Sequence, residues 1–246
     1  FSSETMKTIF DNNPPKFLLE AFNAARTRFK LDCDIPISAT ELSSLAGVNR
    51  KTIVNAKLAE KTGAKVYRCD AGSVEEVQSL FRELDNNLGT PNLVIYNPSA
   101  RVRGGIIEVD PLETQKALNI TCFGAFLVAQ EAAKRMVERG NGSIFFTGAS
   151  ASVKGYAHSS VFAMGKFGLR GLAQSLAREL HPKNIHIGHF IIDGGIKADH
   201  RPERHDPGDD SMLDPESIAE TYLQFHRQHR SSWGWEIELR PWVETF

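Results

Sequence analysis

A chain of 246 residues with 41% hydrophobic and 24% charged residues can bury one large core without a second domain, and its net charge of −1 excludes a global attraction to nucleic acid or an acidic membrane. Three cysteines, Cys33, Cys69 and Cys122, are odd in number and far apart, which fits reduced thiols better than a disulfide framework. No apolar run approaches a membrane span and no signal-peptide pattern opens the chain, so a soluble, cytoplasmic protein is expected.

Residues 1–60 read as an atypical N-terminal segment. A dinucleotide-binding βαβ unit needs glycines after its first strand, because only backbone without side chains can approach a pyrophosphate at a helix N-terminus. The first glycine here is Gly47. Lys7 to Phe10 can form a short strand and Asp11 to Pro15 a turn, but Asp11 would repel a phosphate and the two prolines remove two donors. The helix predicted over Lys16 to Lys30 is firmer, with Phe17, Leu18, Ala21, Phe22, Ala25 and Phe29 along one face.

Residues 38–55 resemble a helix-turn-helix, with Gly47 in the turn and Asn49, Arg50, Lys51, Thr52 and Asn55 toward a DNA groove. Two surface helices joined by a glycine turn would give the same pattern. So would a second strand over Leu42 to Val48, with Arg50 and Lys51 beyond its end where a 2′-phosphate is read. Eight Lys or Arg against seven Asp or Glu in residues 1–60 make a weak footprint for nucleic acid.

From residue 61 onward the chain reads as an α/β domain with a doubly wound parallel sheet of Rossmann type, because strands and helices alternate. Ala64 to Cys69 is predicted as a strand, Val74 to Leu88 as an amphipathic helix, and Asn92 to Asn97 as a buried strand. Leu112 to Val137 holds one long helix or two run together. Ser143 to Thr147 is the central strand, followed by a small-residue loop and a helix with Phe162, Leu169, Leu172 and Leu176 at helical spacing. Ile185 to Ile192 is a buried strand ending at Asp193-Gly194-Gly195, and the polar loop Lys197 to Ser211 stands where a substrate lid would sit. Trp233, Trp235 and Trp242 suggest an aromatic strand and tail. The pairs His200 with His205 and His226 with His229 lack a third ligand, so no metal site is expected.

Lys166 lies among Ala163, Met164, Gly165, Phe167 and Gly168, so its ammonium either snorkels to solvent or points into a site. Here the chain resembles the short-chain dehydrogenase/reductase family over residues 64–246, in which a Ser follows the central strand and the next helix carries Tyr-x-x-x-Lys. The matching five residues are Phe162-Ala163-Met164-Gly165-Lys166: the Lys is kept and the Tyr is Phe. The resemblance gives Lys166 and Asn119 catalytic roles, Asn119 anchoring a water chain to the Lys. It also makes Asp70, Asn97, Lys166 and Ile196 cofactor contacts. Asp70 follows the family's third strand, although a helix N-cap explains it equally well. Asn97-Pro98-Ser99 replaces Asn-Ala-Gly, and Asp193-Gly194-Gly195-Ile196 replaces the Pro-Gly turn.

The family's catalytic Ser aligns with Ala149, which leaves Ser150, one place on, as the candidate hydroxyl. Phe162 has no ionisable group, and Tyr156 and His158 in the preceding loop are its candidate substitutes, unless both are exposed loop residues. The expected activity is an NAD- or NADP-dependent oxidoreductase acting on a small carbonyl or alcohol, impaired at its proton donor and built as a homodimer or homotetramer. The alternative is a non-catalytic scaffold of the same fold, or a DNA-binding regulator using residues 38–55.

Overall fold

The computed structural model describes residues 64–198, 208 and 210–244. The glycine-poor turn, the Lys16 to Lys30 helix, the helix-turn-helix-like stretch and most of the Lys197 to Ser211 loop lie outside the described residues. Of the two compact units into which the chain divides, Phe1–Arg68 and Cys69–Phe246, the second holds every helix and strand among the described residues.

Ala64 to Cys69 does not form the predicted strand. Its alternation suits a strand, but a strand exists only where a neighbour takes its backbone hydrogen bonds, and Ala64, Lys65, Val66 and Arg68 are exposed instead. The helix α1 (Val74–Asn87) follows as predicted, with the Ser73 hydroxyl accepting from the Glu76 amide at 3.2 Å and Glu75 and Glu76 at its positive end.

The strands β1 (Leu93–Tyr96), β2 (Gly142–Thr147), β3 (Ile185–Ile192) and β4 (Glu236–Leu239) form one parallel sheet in the order β1-β2-β3-β4. β1 is shorter than expected and not buried throughout, for Ile95 is exposed. β3 is buried from Ile185 to Ile191, the mark of a strand covered on both faces. The crossover from β1 to β2 is α2 (Pro111–Leu118), a π-helical turn (Asn119–Phe123) and α3 (Gly124–Arg139). The long helix read from the sequence is therefore two helices run together through a π-turn. α4 (Ser160–Leu180) joins β2 to β3, and α5 (Pro215–His226) joins β3 to β4.

Two cores follow from the strand alternation. Tyr96, Ile144, Phe146, Ile185 and Ile187 pack with α1, α3 and α4, while Phe145 and Phe190 pack with Tyr222 and Phe225 of α5. Small residues let α4 approach the π-turn closely: a Cβ at Gly165 would stand 3.0 Å from Thr121 Cβ, and one at Gly168 2.8 Å from Cys122 Sγ. No helix among the described residues is long and apolar enough to cross a membrane. Trp233 stacks on His186 with centroids 4.6 Å apart, Trp235 packs against the first core, and Trp242 is 77% exposed.

β3 also buries two histidines, His186 and His189, and their burial should make the fold less stable in acid. Burial holds both His186 and His189 down to about pKa 4. Both are neutral in the folded chain, whereas the unfolded chain takes up these protons below about pH 6.5. Their contribution is therefore intact above pH 6.5 and is lost as the pH falls from 6.5 to 4, on the order of 3 kcal/mol each. Urea denaturation at pH 7.0, 5.5 and 4.5 should show this decline; equal midpoints at about those three values would contradict it.

Candidate active site

The carboxyl ends of β1, β2 and β3 meet where an open α/β sheet places its ligands. α4 turns Val161, Gly165, Leu169 and Ala173 toward the sheet, and Lys166 lies on the same buried face. Only 3% of Lys166 is exposed, so the solvated-face reading does not hold. Its Nζ donates to the Thr147 carbonyl oxygen at 2.6 Å, at the end of β2. Burial pushes the ammonium down to about pKa 8, into the range of a useful proton donor.

One turn earlier on α4 stands Phe162. Lys166 Nζ is 5.8 Å from the centre of its ring, and Arg101 Cζ is 4.6 Å from the same centre. The loop after β2 has its own scaffold. Ser150 is half-buried and opens a short 3₁₀ turn, its carbonyl accepting from Val153 and Lys154; the wholly buried hydroxyl is that of Ser152, which accepts from the Ala149 amide at 3.1 Å. Tyr156 is 45% exposed, and His158 adopts φ 58° while its carbonyl accepts from Gly104. Lys166 is directed at Thr147 rather than at Tyr156, His158 or Ser150.

Asn119 opens the π-turn, its carbonyl accepting from the Gly124 amide. Its side chain is exposed, so no desolvation has to be offset there. Asp70 is exposed too and is not the N-cap, a place taken by Ser73; its Oδ1 accepts from the Gly72 amide at 2.9 Å and shapes a turn. A Cβ at Gly72 would lie 3.8 Å from Asn119 Cβ, so this turn and the π-turn are neighbours. Asn97 is exposed at the end of β1. The next residues are held down by the Ala100 amide donating to Thr121 Oγ1 at 3.0 Å, while the preceding Tyr96 hydroxyl donates to the Ile120 carbonyl. Ile196 is half-buried and bridges to Leu213. The turn before it is fixed by Asp193, which pairs with Lys154 at 3.4 Å and Arg240 at 3.1 Å.

Sequence reasoning missed the group beneath this floor. His189 is wholly buried, and its Nδ1 is 3.0 Å from Glu236 Oε2. A carboxylate cannot donate, so Nδ1 carries the proton and the bare Nε2 faces Gly148, without a hydrogen-bond partner among the described residues. Arg170 donates to both oxygens of Glu236, at 2.6 and 2.8 Å. Burial alone would raise the Glu236 carboxyl; the Arg170 hydrogen bonds and charge outweigh it and hold the group below its ordinary range. The alternation of β3 places His189 toward α4, but nothing in the sequence links it to a partner on β4. His226 and His229 each have a serine hydroxyl partner, Ser143 and Ser231.

The enoyl-(acyl carrier protein) reductase family model matches residues 44–214. A solved short-chain dehydrogenase from Rhodopseudomonas palustris is 34% identical and superposes with a TM-score of 0.64 over 78% of this chain and 82% of that one. The chain belongs to the short-chain dehydrogenase/reductase family. Among curated relatives, the 3-oxoacyl-[acyl-carrier-protein] reductase of Mus musculus is 29% identical over 166 residues, 65% of this chain and 70% of that protein. An alcohol dehydrogenase from Thermococcus sibiricus, 16% identical with a TM-score of 0.66 over 80% of this chain and 83% of that one, shares the fold. This short-chain dehydrogenase/reductase matches its family from residue 44, further upstream than the residue-64 start read from the sequence.

Proposed function

We propose that this chain is a nicotinamide-dependent oxidoreductase acting on a small carbonyl or alcohol, slow because Phe162 stands where its family has the proton-donating tyrosine. The observation that carries this reading is Lys166, a buried cation aimed at the end of the central strand with a neutral carbonyl as its partner. A cation left without a carboxylate in a buried site favours a ligand rich in oxygen, and the donor set suits the ribose of a nicotinamide dinucleotide. Lys166, Asn97 and the Ile196 turn would hold that end of the cofactor, and Asp70 the adenine end. When bound, the cofactor supplies the hydride. The family match includes Arg50 and Lys51, which favours reading them as contacts to a 2′-phosphate rather than to DNA, and so NADP over NAD.

The chain's own part is to orient the carbonyl and provide a proton. Phe162 has none to give, and Tyr156 is exposed, so the proton comes from Lys166 itself or reaches the substrate through water beside Asn119 and Ser150. Lys166 is charged below about pH 8 and neutral above it, so carbonyl reduction should fall as the pH rises through 8. Calorimetric titration with NADPH and NADH tests the reading. Saturable binding, weakened in Lys166→Met, supports it; no binding at about millimolar cofactor leaves a non-catalytic scaffold.

Copies of the chain would associate through α3, the π-turn before it and α4, where Phe123 and Phe126 stack with centroids 6.2 Å apart and remain exposed beside Met164. Sedimentation equilibrium tests this, and a monomer would overturn it.

A further inference from the structure

Two cations approach the Phe162 ring, and among the described residues no carboxylate is paired with either. Arg101 and Lys166 both approach it, at 4.6 and 5.8 Å from its centre. Arg103 follows two residues on and is close enough to repel Arg101; burial and this neighbour together lower the Arg101 guanidinium from its ordinary value. Among the described residues, neither arginine has a carboxylate in ion-pair contact, and Lys166 has only the Thr147 carbonyl.

Two acids of the surrounding elements, Asp110 and Asp193, are engaged elsewhere, and Glu108 makes no ion pair among the described residues. Asp110 caps α2 through the amides of Leu112 and Glu113, both at 2.8 Å, and Asp193 pairs with Lys154 and Arg240. Glu108 lies at the Gly105 turn, where its Oε2 and His158 Nδ1 would be 3.5 and 3.8 Å from a Cβ on that glycine. Arg101 is exposed, and it and Arg103, side by side without a carboxylate partner among the described residues, repel each other in the free protein and favour the entry of an anion.

The loop that carries Arg101 is also built to hold it in place. Its base is fixed by the Ala100 amide on Thr121 Oγ1, and its far side by the Gly104 amide on the His158 carbonyl at 3.2 Å. A guanidinium resting on an aromatic face keeps its edge N–H groups free to donate. That planar fork matches a carboxylate, which accepts two parallel hydrogen bonds from it.

We propose that Arg101, with Lys166 on the same Phe162 ring, binds the carboxylate of the substrate, so that this site takes small oxo or hydroxy acids in preference to neutral ketones and alcohols. The inference rests on reading the Lys166 pocket as the substrate site. Arg101 is a binding residue here and not a proton donor, because a guanidinium does not release its proton near neutral pH.

The test uses the full chain without cofactor and two probes of one skeleton, acetoacetate and its neutral methyl ester, titrated by ligand-observed NMR. Acetoacetate should saturate the site and the ester should bind at least about tenfold more weakly. Arg101→Gln should weaken acetoacetate by about tenfold and leave the ester unchanged, with Arg101→Lys between, because charge is kept and the fork is lost. Equal binding of acid and ester overturns the proposal, and so does an Arg101→Gln variant that binds acetoacetate like the parent. A loss of NADPH affinity as large as that of acetoacetate also overturns it, by assigning the cation to the cofactor's phosphates. Should Arg101→Gln fail to fold, the acid-to-ester comparison on the parent protein decides alone. Acid-selective binding without NADPH binding would sink the oxidoreductase reading and leave the carboxylate site standing.

Discussion

Phe162→Tyr should raise carbonyl reduction by about a hundredfold, within the range a positioned general acid contributes. The ring at this position already lies in the field of two cations, Arg101 Cζ at 4.6 Å and Lys166 Nζ at 5.8 Å from its centre. A phenol placed there has its anionic form stabilised by both, so its pKa falls toward the working pH and it becomes a better proton donor than an unperturbed tyrosine. The added oxygen extends a half-buried side chain, so the change asks little of the core. NADPH oxidation with acetoacetate, followed from pH 6 to 9, measures the gain. A rate within about twofold of the parent would sink the assignment of position 162 as the proton donor's place, since even weak general acid catalysis exceeds that.

Gly148→Ala should cost about 3 kcal/mol of stability, the upper range for overpacking a rigid core. A Cβ there would press on His189 Nε2 and stand 2.7 Å from its Cε1 and 2.9 Å from the Phe190 carbonyl oxygen. His189 cannot retreat easily, because it is wholly buried and held by Glu236, which Arg170 holds in turn. Moving the ring breaks its hydrogen bond and leaves Glu236 with one partner fewer in a partly buried place. For a chain of this size the loss corresponds to a midpoint about 6 °C lower. Thermal unfolding of Gly148→Ala, His189→Ala and the double variant separates the two contacts. The ring contact should disappear in the double variant and the backbone contact should remain, so the rescue is partial. A single variant within about 0.5 kcal/mol of the parent would show that the loop moves aside freely.

Much of the architecture was legible because it depends on local pattern. The apolar run of β3 announced a buried strand, and the amphipathic pattern from Val74 to Leu88 announced α1. The exception, Ala64 to Cys69, fails for a non-local reason: alternation sets which side chains share a face, but backbone pairing needs a neighbour. For Asp70 the sequence left a helix cap and a cofactor contact open, and the structure removes the cap, because Ser73 takes that place.

The candidate site was legible in its residues and not in its contacts. Sequence alone determined that a lysine follows Phe162 at the spacing of one helical turn, that position 162 carries no ionisable group, and that the chain belongs with parallel α/β folds. These are facts of order and spacing. Only the tertiary structure decided that Lys166 is buried and aimed at Thr147, that Arg101 lies on the Phe162 ring, and that His189, Glu236 and Arg170 form one hydrogen-bonded group beneath Gly148. Each of those contacts joins residues from different elements. A lysine's charge and pKa depend on what surrounds it, and that is set by the packing of α4 on β2 and β3, which no local spacing encodes.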